Sequence, residues 1–124
     1  MALENDTGIF VVADRLRKST HEILIGEADG DNSSIAADDN VRVKIGQAGQ
    51  TPLLEIESDA ATANGSRCTA ANPTVLTLAA ADLSFQAGIY DIEALIVDTS
   101  DGDKPKKADQ GIFHLRETFG GDVD

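Results

Sequence analysis

Apolar and polar residues alternate along several short segments of the chain, and no segment keeps the 3.6-residue period of an amphipathic helix. The longest apolar signal is the stretch Gly88-Ile-Tyr-Asp-Ile-Glu-Ala-Leu-Ile-Val-Asp98. A turn-rich loop over 99–108 follows it, and a second apolar run covers 111–116. Strands bounded by turn residues give this pattern. We therefore predict a β-hairpin whose first strand is central and whose second strand closes the domain.

Two further hairpins are predicted upstream from the same kind of signal. β-Branched and aromatic residues over 8–14 and 20–26 predict a pair of strands joined across the basic segment 15–19. The segment 41–45 alternates between aliphatic and basic residues, and 53–57 alternates between aliphatic and acidic residues. A turn rich in glycine and glutamine separates them, so we expect them to pair as a second hairpin.

The segments between these strands predict less regular structure. The polar stretch 27–40 is expected to be a loop or a surface arm, and 58–72, rich in Ala, Thr, Gly and Ser, a ragged hairpin or an extended loop. A short strand is predicted over 73–78, and one helical turn over 79–85 leads into the central strand.

Short strands with turn signals at this spacing are typical of a sandwich. The predicted fold class is mainly β, an Ig-like antiparallel β-sandwich of about six to eight short strands. At 124 residues the chain is expected to form one domain spanning 1–124. Its termini, about 1–7 and 118–124, flank the strands and are expected to be flexible.

The charge of the chain limits its partners. Asp and Glu number 22 against 10 Lys and Arg, which gives a net charge of −12. A chain this acidic is repelled by phosphate backbones and anionic lipid heads, so neither nucleic acid nor a membrane is expected as a partner. The excess charge serves solubility or attracts a basic partner.

Cysteine usage and the N-terminus indicate where the protein is made. Cys68 is the only cysteine, so no intrachain disulfide is expected. The first six residues contain neither a basic n-region nor an apolar h-region, and no stretch of about 20 apolar residues follows. We expect synthesis and assembly in the cytoplasm.

No combination of residues in the sequence predicts catalysis. The chain has two histidines, His21 and His114, and the single Cys68. It contains no Gly-x-Ser-x-Gly elbow, phosphate-binding Walker loop, His-Glu-x-x-His motif or zinc-ligand spacing. His114 alternates with apolar neighbours and is expected to face solvent. The protein is therefore expected not to be an enzyme and to need no cofactor.

Two acidic loops are weak calcium candidates. Both contain Asp-Gly-Asp, and the carboxylates concerned are Asp29, Asp31, Asp101 and Asp103. Calcium needs six to eight oxygen ligands, and neither loop matches the EF-hand pattern. Asp and Gly are also common turn residues. No metal site is predicted.

Basic clusters are candidates for contacts between subunits. Two short clusters interrupt the acidic chain, formed by Arg15, Arg17 and Lys18 and by Lys104, Lys106 and Lys107. Each is either a solvated loop or a surface that meets the acidic side of a neighbouring copy in a head-to-tail contact. Salt would weaken such a contact.

The central strand offers a further candidate interface. Ile92, Ala94 and Ile96 share one face and are expected to lie in the core. Leu95 and Val97 lie on the other face, and a free sandwich needs only one covered face. We therefore predict that Leu95 and Val97 form a docking surface.

Tyr90 has two readings. A tyrosine at the start of a late strand can fold back and hydrogen-bond upstream backbone, as in the tyrosine corner of sandwich domains. Gly88 would allow the backbone angle that such a corner requires. The alternative is an ordinary half-buried strand tyrosine.

A resemblance extends this reading toward function. The segment Leu76-Thr-Leu-Ala-Ala-Ala-Asp-Leu-Ser-Phe-Gln-Ala-Gly-Ile-Tyr-Asp-Ile-Glu-Ala-Leu-Ile-Val-Asp98, followed by Gly111-Ile-Phe-His-Leu115, resembles the N-terminal domain of siphophage baseplate upper proteins. The shared order is strand, acidic corner, Gly-x-Tyr, long strand, Asp-Gly loop and closing strand. The resemblance covers roughly 41–117. The chain departs from that family in being short, and we expect no receptor-binding or fibre module after the sandwich.

The resemblance implies a structural protein of a tailed-phage virion that binds other virion proteins and forms a homo-oligomer, a trimer or a ring. The expected role is a non-enzymatic adaptor in the tail, baseplate or fibre attachment region. One alternative is a decoration protein that stabilises the capsid. A second is a non-viral β-sandwich binding module, although carbohydrate binding is disfavoured because the chain has one Tyr, four Phe and no Trp for stacking.

Overall fold

The computed structural model describes residues 9–25, 39–71, 73–102 and 104–117. Within these ranges the fold is mainly β, with two sheets enclosing one apolar core, which confirms the predicted β-sandwich. The strands are β1 (Ile9–Asp14), β2 (Ser19–Ile23), β3 (Asp39–Gly46), β4 (Leu54–Glu57), β5 (Arg67–Cys68), β6 (Thr74–Leu78), β7 (Gly88–Asp98) and β8 (Lys104–Arg116). The predictions of flexible termini and of a surface arm before residue 39 lie outside the described residues.

The larger sheet has the order β1-β8-β7-β3-β4, and the smaller sheet has the order β2-β6-β5. β7 is the middle strand of the larger sheet, paired with β3 on one side and β8 on the other. The predicted central strand is therefore confirmed, as are the hairpin of β7 with β8 and that of β3 with β4. The 3-10 turn Ala80–Leu83 occupies the corner where a helical turn was predicted.

The core lies between the two sheets and is built mainly from aliphatic side chains. Alternate residues of each strand point into it, as their period-2 pattern predicts. β7 contributes Ile92, Ala94 and Ile96, each no more than 2% exposed. The largest fully buried side chains are Phe113, Ile25, Ile45, Ile56, Leu76, Leu78, Leu83, Ile92 and Leu115.

The predicted hairpin between the first two strands is wrong. β1 lies at the edge of the larger sheet, whereas β2 lies at the edge of the smaller sheet. In the turn between them, the backbone N–H of Arg15 donates to the carbonyl of Arg116, and that of Leu16 donates to the carbonyl of Leu83. Leu16 also adopts a left-handed φ of 62°. These long-range bonds direct the chain across the sandwich.

β8 begins earlier than predicted, within the segment 99–108 that was expected to be a loop. The strand starts at Lys104, and its pairing with β7 shifts register between Ile96 and Val97, where Pro105 stands opposite. Proline cannot donate to a sheet ladder, but a bulge tolerates it. Lysines and a proline gave this strand the composition of a loop.

Strand β1 pairs with β8 in parallel, from Ile9 opposite Gly111 to Asp14 opposite Arg116. A Cβ atom placed on Gly111 would overlap the backbone of Ile9, its carbonyl oxygen first. The close approach of β1 therefore requires a residue without a side chain at position 111.

The loop between β4 and β5 is held to the corner by Asp82. Its carboxylate accepts hydrogen bonds from the hydroxyl of Thr62 at 2.6 Å, the amide of Asn64 at 2.7 Å and the hydroxyl of Ser66. The Ser66 hydroxyl is buried and also accepts the N–H of Ala79 at 2.8 Å. Burial favours the neutral carboxyl, but the hydrogen bonds from Ser66, Thr62 and Asn64 outweigh it and lower the pKa of Asp82.

The start of β7 has the features of a tyrosine corner. The Tyr90 hydroxyl donates to the backbone carbonyl of Gln86 at 2.5 Å, four residues upstream. The ring of Phe85 meets the Tyr90 ring edge-on at 5.1 Å, and Gly88 has a φ of 156°. Tyr90 thus combines a half-buried ring with the upstream backbone bond that defines the corner.

Gly111→Ala tests the approach of β1 to β8. The added methyl group must displace the backbone of Ile9, so we expect the free energy of unfolding to fall by about 1–3 kcal/mol or more. Urea denaturation measures the loss. Gln110→Ala is the control, because Gln110 is exposed on the same strand. Equal stability of the two variants would show that β1 does not need the glycine.

Asp82→Asn tests the corner network. The amide keeps the shape but loses the charge, so we expect a loss of about 1–2 kcal/mol near neutral pH. Because the folded-state pKa of Asp82 lies below its unfolded value, the stability it contributes is present above the unfolded pKa and is lost as pH falls through the folded pKa. Stability of the variant should therefore fall less steeply in acid than that of the wild type.

Urea denaturation of both proteins between neutral pH and pH 3 gives the comparison. Asp59→Asn serves as the control, since Asp59 is an exposed residue of the same loop. If the free energy of unfolding falls equally with pH in Asp82→Asn and in the wild type, the stabilising role of the Asp82 carboxylate is contradicted.

Candidate interaction surface

The outer face of the larger sheet divides into a charged part and an apolar part. In the charged part, Lys44 pairs in register with Glu93 on one side and Glu55 on the other, and Arg42 pairs with Glu57. Opposite charges at paired positions stabilise a sheet surface in contact with water. This part is an ordinary solvated face of an antiparallel sheet.

The other end of the face, formed by β1, β8 and the start of β7, is apolar. Phe10 is 68% exposed, Ile89 59% and Ile112 45%. Phe10 is paired with Ile112, and Val12 is paired with His114, which is paired in turn with Ile89. We call Phe10, Val12, Ile89 and Ile112 the apolar patch. The half-buried His114 lies between its members.

A contiguous apolar surface has a different meaning from scattered apolar residues. Single exposed leucines, such as Leu16 and Leu53 in the turns after β1 and β3, are normal on any protein. Apolar residues that adjoin on three neighbouring strands instead mark a surface that another molecule covers. The apolar patch is therefore the candidate interaction site of this chain.

Sequence reasoning missed the patch, although part of the signal was present. Phe10 alternates with buried Val11, and Ile112 alternates with buried Phe113, so both point away from the core. An outward phenylalanine on a short strand is a visible anomaly. What the sequence did not show is that β1 pairs with β8, which is the step that brings these residues together.

The predicted docking surface of Leu95 and Val97 is only partly present. Val97 is 2% exposed, although it is not a member of the core cluster between the two sheets. Val97 therefore offers almost no exposed surface in the isolated chain, and its role as an interface residue stays a prediction. Leu95 is half-buried on the outer face, in register with Arg42 and Ala108.

The basic cluster near β8 lies in a strand and is in part used within the chain. The ammonium group of Lys106 donates to Oδ2 of Asp39 at 2.9 Å, and the side chain of Asp39 is 1% exposed. This hydrogen bond raises the pKa of Lys106. Lys104 is exposed and pairs in register with Asp98, and Lys107 is half-buried. Lys106 is thus a partner for a buried carboxylate rather than a free contact residue.

In the second basic cluster, too, one residue makes contacts within the chain and the others are exposed. The guanidinium of Arg15 donates to the carbonyl of Phe85 at 3.0 Å and to that of Ser84 at 3.1 Å. Arg15 therefore holds the turn after β1 to the corner before β7. Arg17 and Lys18 are exposed in the same turn.

A groove of about 260 Å³ lies beside the turn between β3 and β4. Charged residues of both signs line it, and one of them, Asp91, accepts the backbone N–H of Ala48 at 2.9 Å. None of its lining residues is a histidine, cysteine or serine. Among the described residues, the groove therefore has no hydroxyl or thiol nucleophile from serine or cysteine and no imidazole base.

The candidate nucleophile and bases of the chain lie apart from one another. Burial raises the pKa of the Cys68 thiol to about 11, which keeps it protonated and unreactive. His21 lies on edge strand β2, 2.8 Å from the hydroxyl of Ser19, and burial lowers its pKa. His114 lies on the opposite sheet, within the apolar patch. Neither histidine adjoins the thiol in the sheet registers.

The calcium prediction falls largely outside what the structure describes. Asp29, Asp31 and Asp103 are not among the described residues, and the same holds for the side chain of Asp101. Within the described part of the chain, no group of three or more His, Cys, Asp or Glu side chains is placed to hold a metal ion.

No protein-family model matches this chain, and no curated protein matches it. Across the residues that the structure describes, no helix has the length and hydropathy needed to cross a bilayer. The surface geometry is therefore the basis for assigning a function.

Val97→Asp and Leu95→Asp test the revised assignment of the central strand. A carboxylate at buried position 97 should lower the free energy of unfolding by about 2–4 kcal/mol, while the half-buried position 95 should lose about 1 kcal/mol. Thermal and urea unfolding measure both. A Val97→Asp variant as stable as Leu95→Asp would contradict the burial of Val97.

Proposed function

We propose that this protein is a non-enzymatic assembly subunit that binds another protein through the apolar patch. The observation that carries the proposal is the contiguous exposure of Phe10, Ile89 and Ile112 at one end of a sheet whose outer face elsewhere carries paired charges on β3, β4 and β7. Apolar side chains at the centre of a surface, with polar residues around them, form the arrangement of a protein–protein interface.

The charge of the chain narrows the class of partner. A net charge of −12 repels acidic proteins, nucleic acid and anionic lipids at long range. Beside the patch, Asp91 pairs in register with Ile112 on β8, and Glu93 follows it on β7. The complementary surface is therefore an apolar area with Lys or Arg at its border.

The resemblance to baseplate upper proteins supports a role for this binding in a tailed-phage virion. In this proposal the chain is an adaptor in the tail, baseplate or fibre attachment region, where it joins larger components without chemistry of its own. A compact β-sandwich with one docking face suits a position between preformed subunits.

Capsid decoration is the second candidate. A decoration subunit needs one surface for the shell, and the described residues present one apolar patch. The number of chains in each particle separates the two roles. A tail component is present in small numbers set by the symmetry of the tail, whereas a decoration protein follows the many repeated positions of the shell.

Quantitative mass spectrometry of purified particles measures this number against the major capsid protein. A ratio far below one supports the tail role, and a ratio comparable to that of the capsid protein supports decoration. Particles that lack the chain would contradict both virion roles.

Ile89→Lys and Ile112→Lys test the docking face itself. Both side chains are exposed, so the fold should tolerate the changes to within about 0.5 kcal/mol, while the lysines oppose a partner surface that is apolar and basic. We expect each of these two variants to be missing from particles that are assembled while the variant is present. Leu53→Lys is the matched control, since Leu53 is equally exposed in the turn before β4. Incorporation of all three variants at the wild-type level would overturn the assignment of the patch.

A further inference from the structure

The strands at the edges of the two sheets differ in how they are protected from pairing with other chains. β1 and β4 border the larger sheet, and β2 and β5 border the smaller one. β4 carries Glu55 and Glu57, β2 carries Glu22, and β5 has two residues. Charges and shortness are the usual means by which a protein prevents its edges from pairing. Three of the edges have such protection.

β1 is the exception. It has six residues, and from Ile9 to Ala13 it contains no charge and no proline. Its register with β8 runs without a bulge from Ile9 to Asp14. In the described part of the chain, no strand pairs with its other side. A regular, uncharged apolar edge of this kind is a template for a further strand.

We propose that β1 pairs antiparallel with β1 of a second copy, so that the two larger sheets form one continuous sheet across a twofold axis. A twofold contact uses the same residues on both copies and is the commonest symmetry of homo-oligomers. Among the described residues, Phe10 is the most exposed of the large apolar side chains. Residues directly opposite each other in an antiparallel pair point to the same face, so this pairing places Phe10 and Val12 beside outward side chains of the second copy.

The charge distribution favours a second copy as the occupant. Each chain carries −12, which opposes association through most of its surface. β1 adds no unpaired charge to this repulsion, because its only charge is Asp14, whose carboxylate accepts a hydrogen bond from Nε of Arg116 at 2.9 Å. When two β1 strands pair, no unpaired charges of the same sign on these strands are therefore brought together.

The pairing goes beyond the proposed function and does not depend on it. Phe10 and Val12 belong both to the edge strand and to the apolar patch, so a twofold contact at β1 joins the patches of two copies into one surface. Ile89 and Ile112 lie on inner strands and stay clear of the edge. Variants at these two pairs of positions therefore separate self-association from binding of a different protein.

Salt dependence distinguishes this contact from one made by the basic clusters. Raising ionic strength from about 0.01 M to about 1 M shortens the Debye length from about 30 Å to about 3 Å. Screening removes the repulsion between two acidic chains and leaves an apolar edge contact intact, so the dimer fraction should rise with salt. A head-to-tail contact of lysines with carboxylates would weaken over the same range.

Sedimentation velocity of the full chain across this salt range measures the dimer fraction. The double variant Phe10→Lys with Val12→Lys should lose the dimer, although it lowers the net negative charge. The control is Gln50→Lys with Leu53→Lys, which makes the same change of charge in the exposed turn before β4 and should dimerise as the wild type does. Thermal unfolding of each variant establishes that it is folded. In the wild type, amide hydrogen exchange in β1 should slow as protein concentration rises.

Three results would overturn the pairing: a wild-type chain that stays monomeric throughout, a dimer that dissociates as salt is added, and a dimer that survives the Phe10 and Val12 changes. Protection of β1 amides only when a different protein is added would likewise assign the edge to a foreign strand.

Discussion

The parallel contact between β1 and β8 is the constraint on which the rest of the structure depends. It joins residues near the two ends of the described chain, and it forms only because Gly111 leaves room for the backbone of Ile9. Closing so long a loop has an entropic cost that grows slowly with length, and the packing of buried residues on both strands offsets it. The same contact creates the outer face on which the apolar patch lies. The pairing of β1 with β8 thus determines both the architecture and the position of the candidate site.

The polar interactions of the sandwich serve mainly to hold its connections in place. Asp82 fixes the loop between β4 and β5, Arg15 fixes the turn after β1, and Lys106 neutralises Asp39. Each charged group is satisfied by a contact within the chain, so these residues are explained without a substrate or a ligand. The apolar patch has no such internal explanation. That contrast is the physical reason for looking for a binding partner there.

The local sequence pattern was sufficient to predict the central strands of the fold. It was insufficient to predict the pairing of the edge strand β1 and the start of β8. The period-2 alternation of 41–45 and of Gly88–Asp98 identified β3, β7 and their inward side chains, because burial of one face is a local property of each strand. The pairing of β1 with β8 depends on contacts about one hundred residues apart along the chain, which no local window contains. The start of β8 was missed because lysine and proline are typical of loops. The burial of Val97 was missed because alternation marks the face of a strand on which a residue lies and not whether that face is covered. The patch required this topology, so it was found only in the structure.

The position of Cys68 gives the molecule a property of practical use. The residue lies on β5 of the smaller sheet, and its thiol donates across the core to the carbonyl of Val41 on β3 of the larger sheet at 3.5 Å. With a pKa of about 11 and almost no exposed surface, this thiol does not react with an alkylating reagent while the two sheets stay together. Its rate of labelling therefore records how often the sheets separate. Because Cys68 is the only cysteine, the rate at which the unmodified protein is alkylated reports how often its core opens.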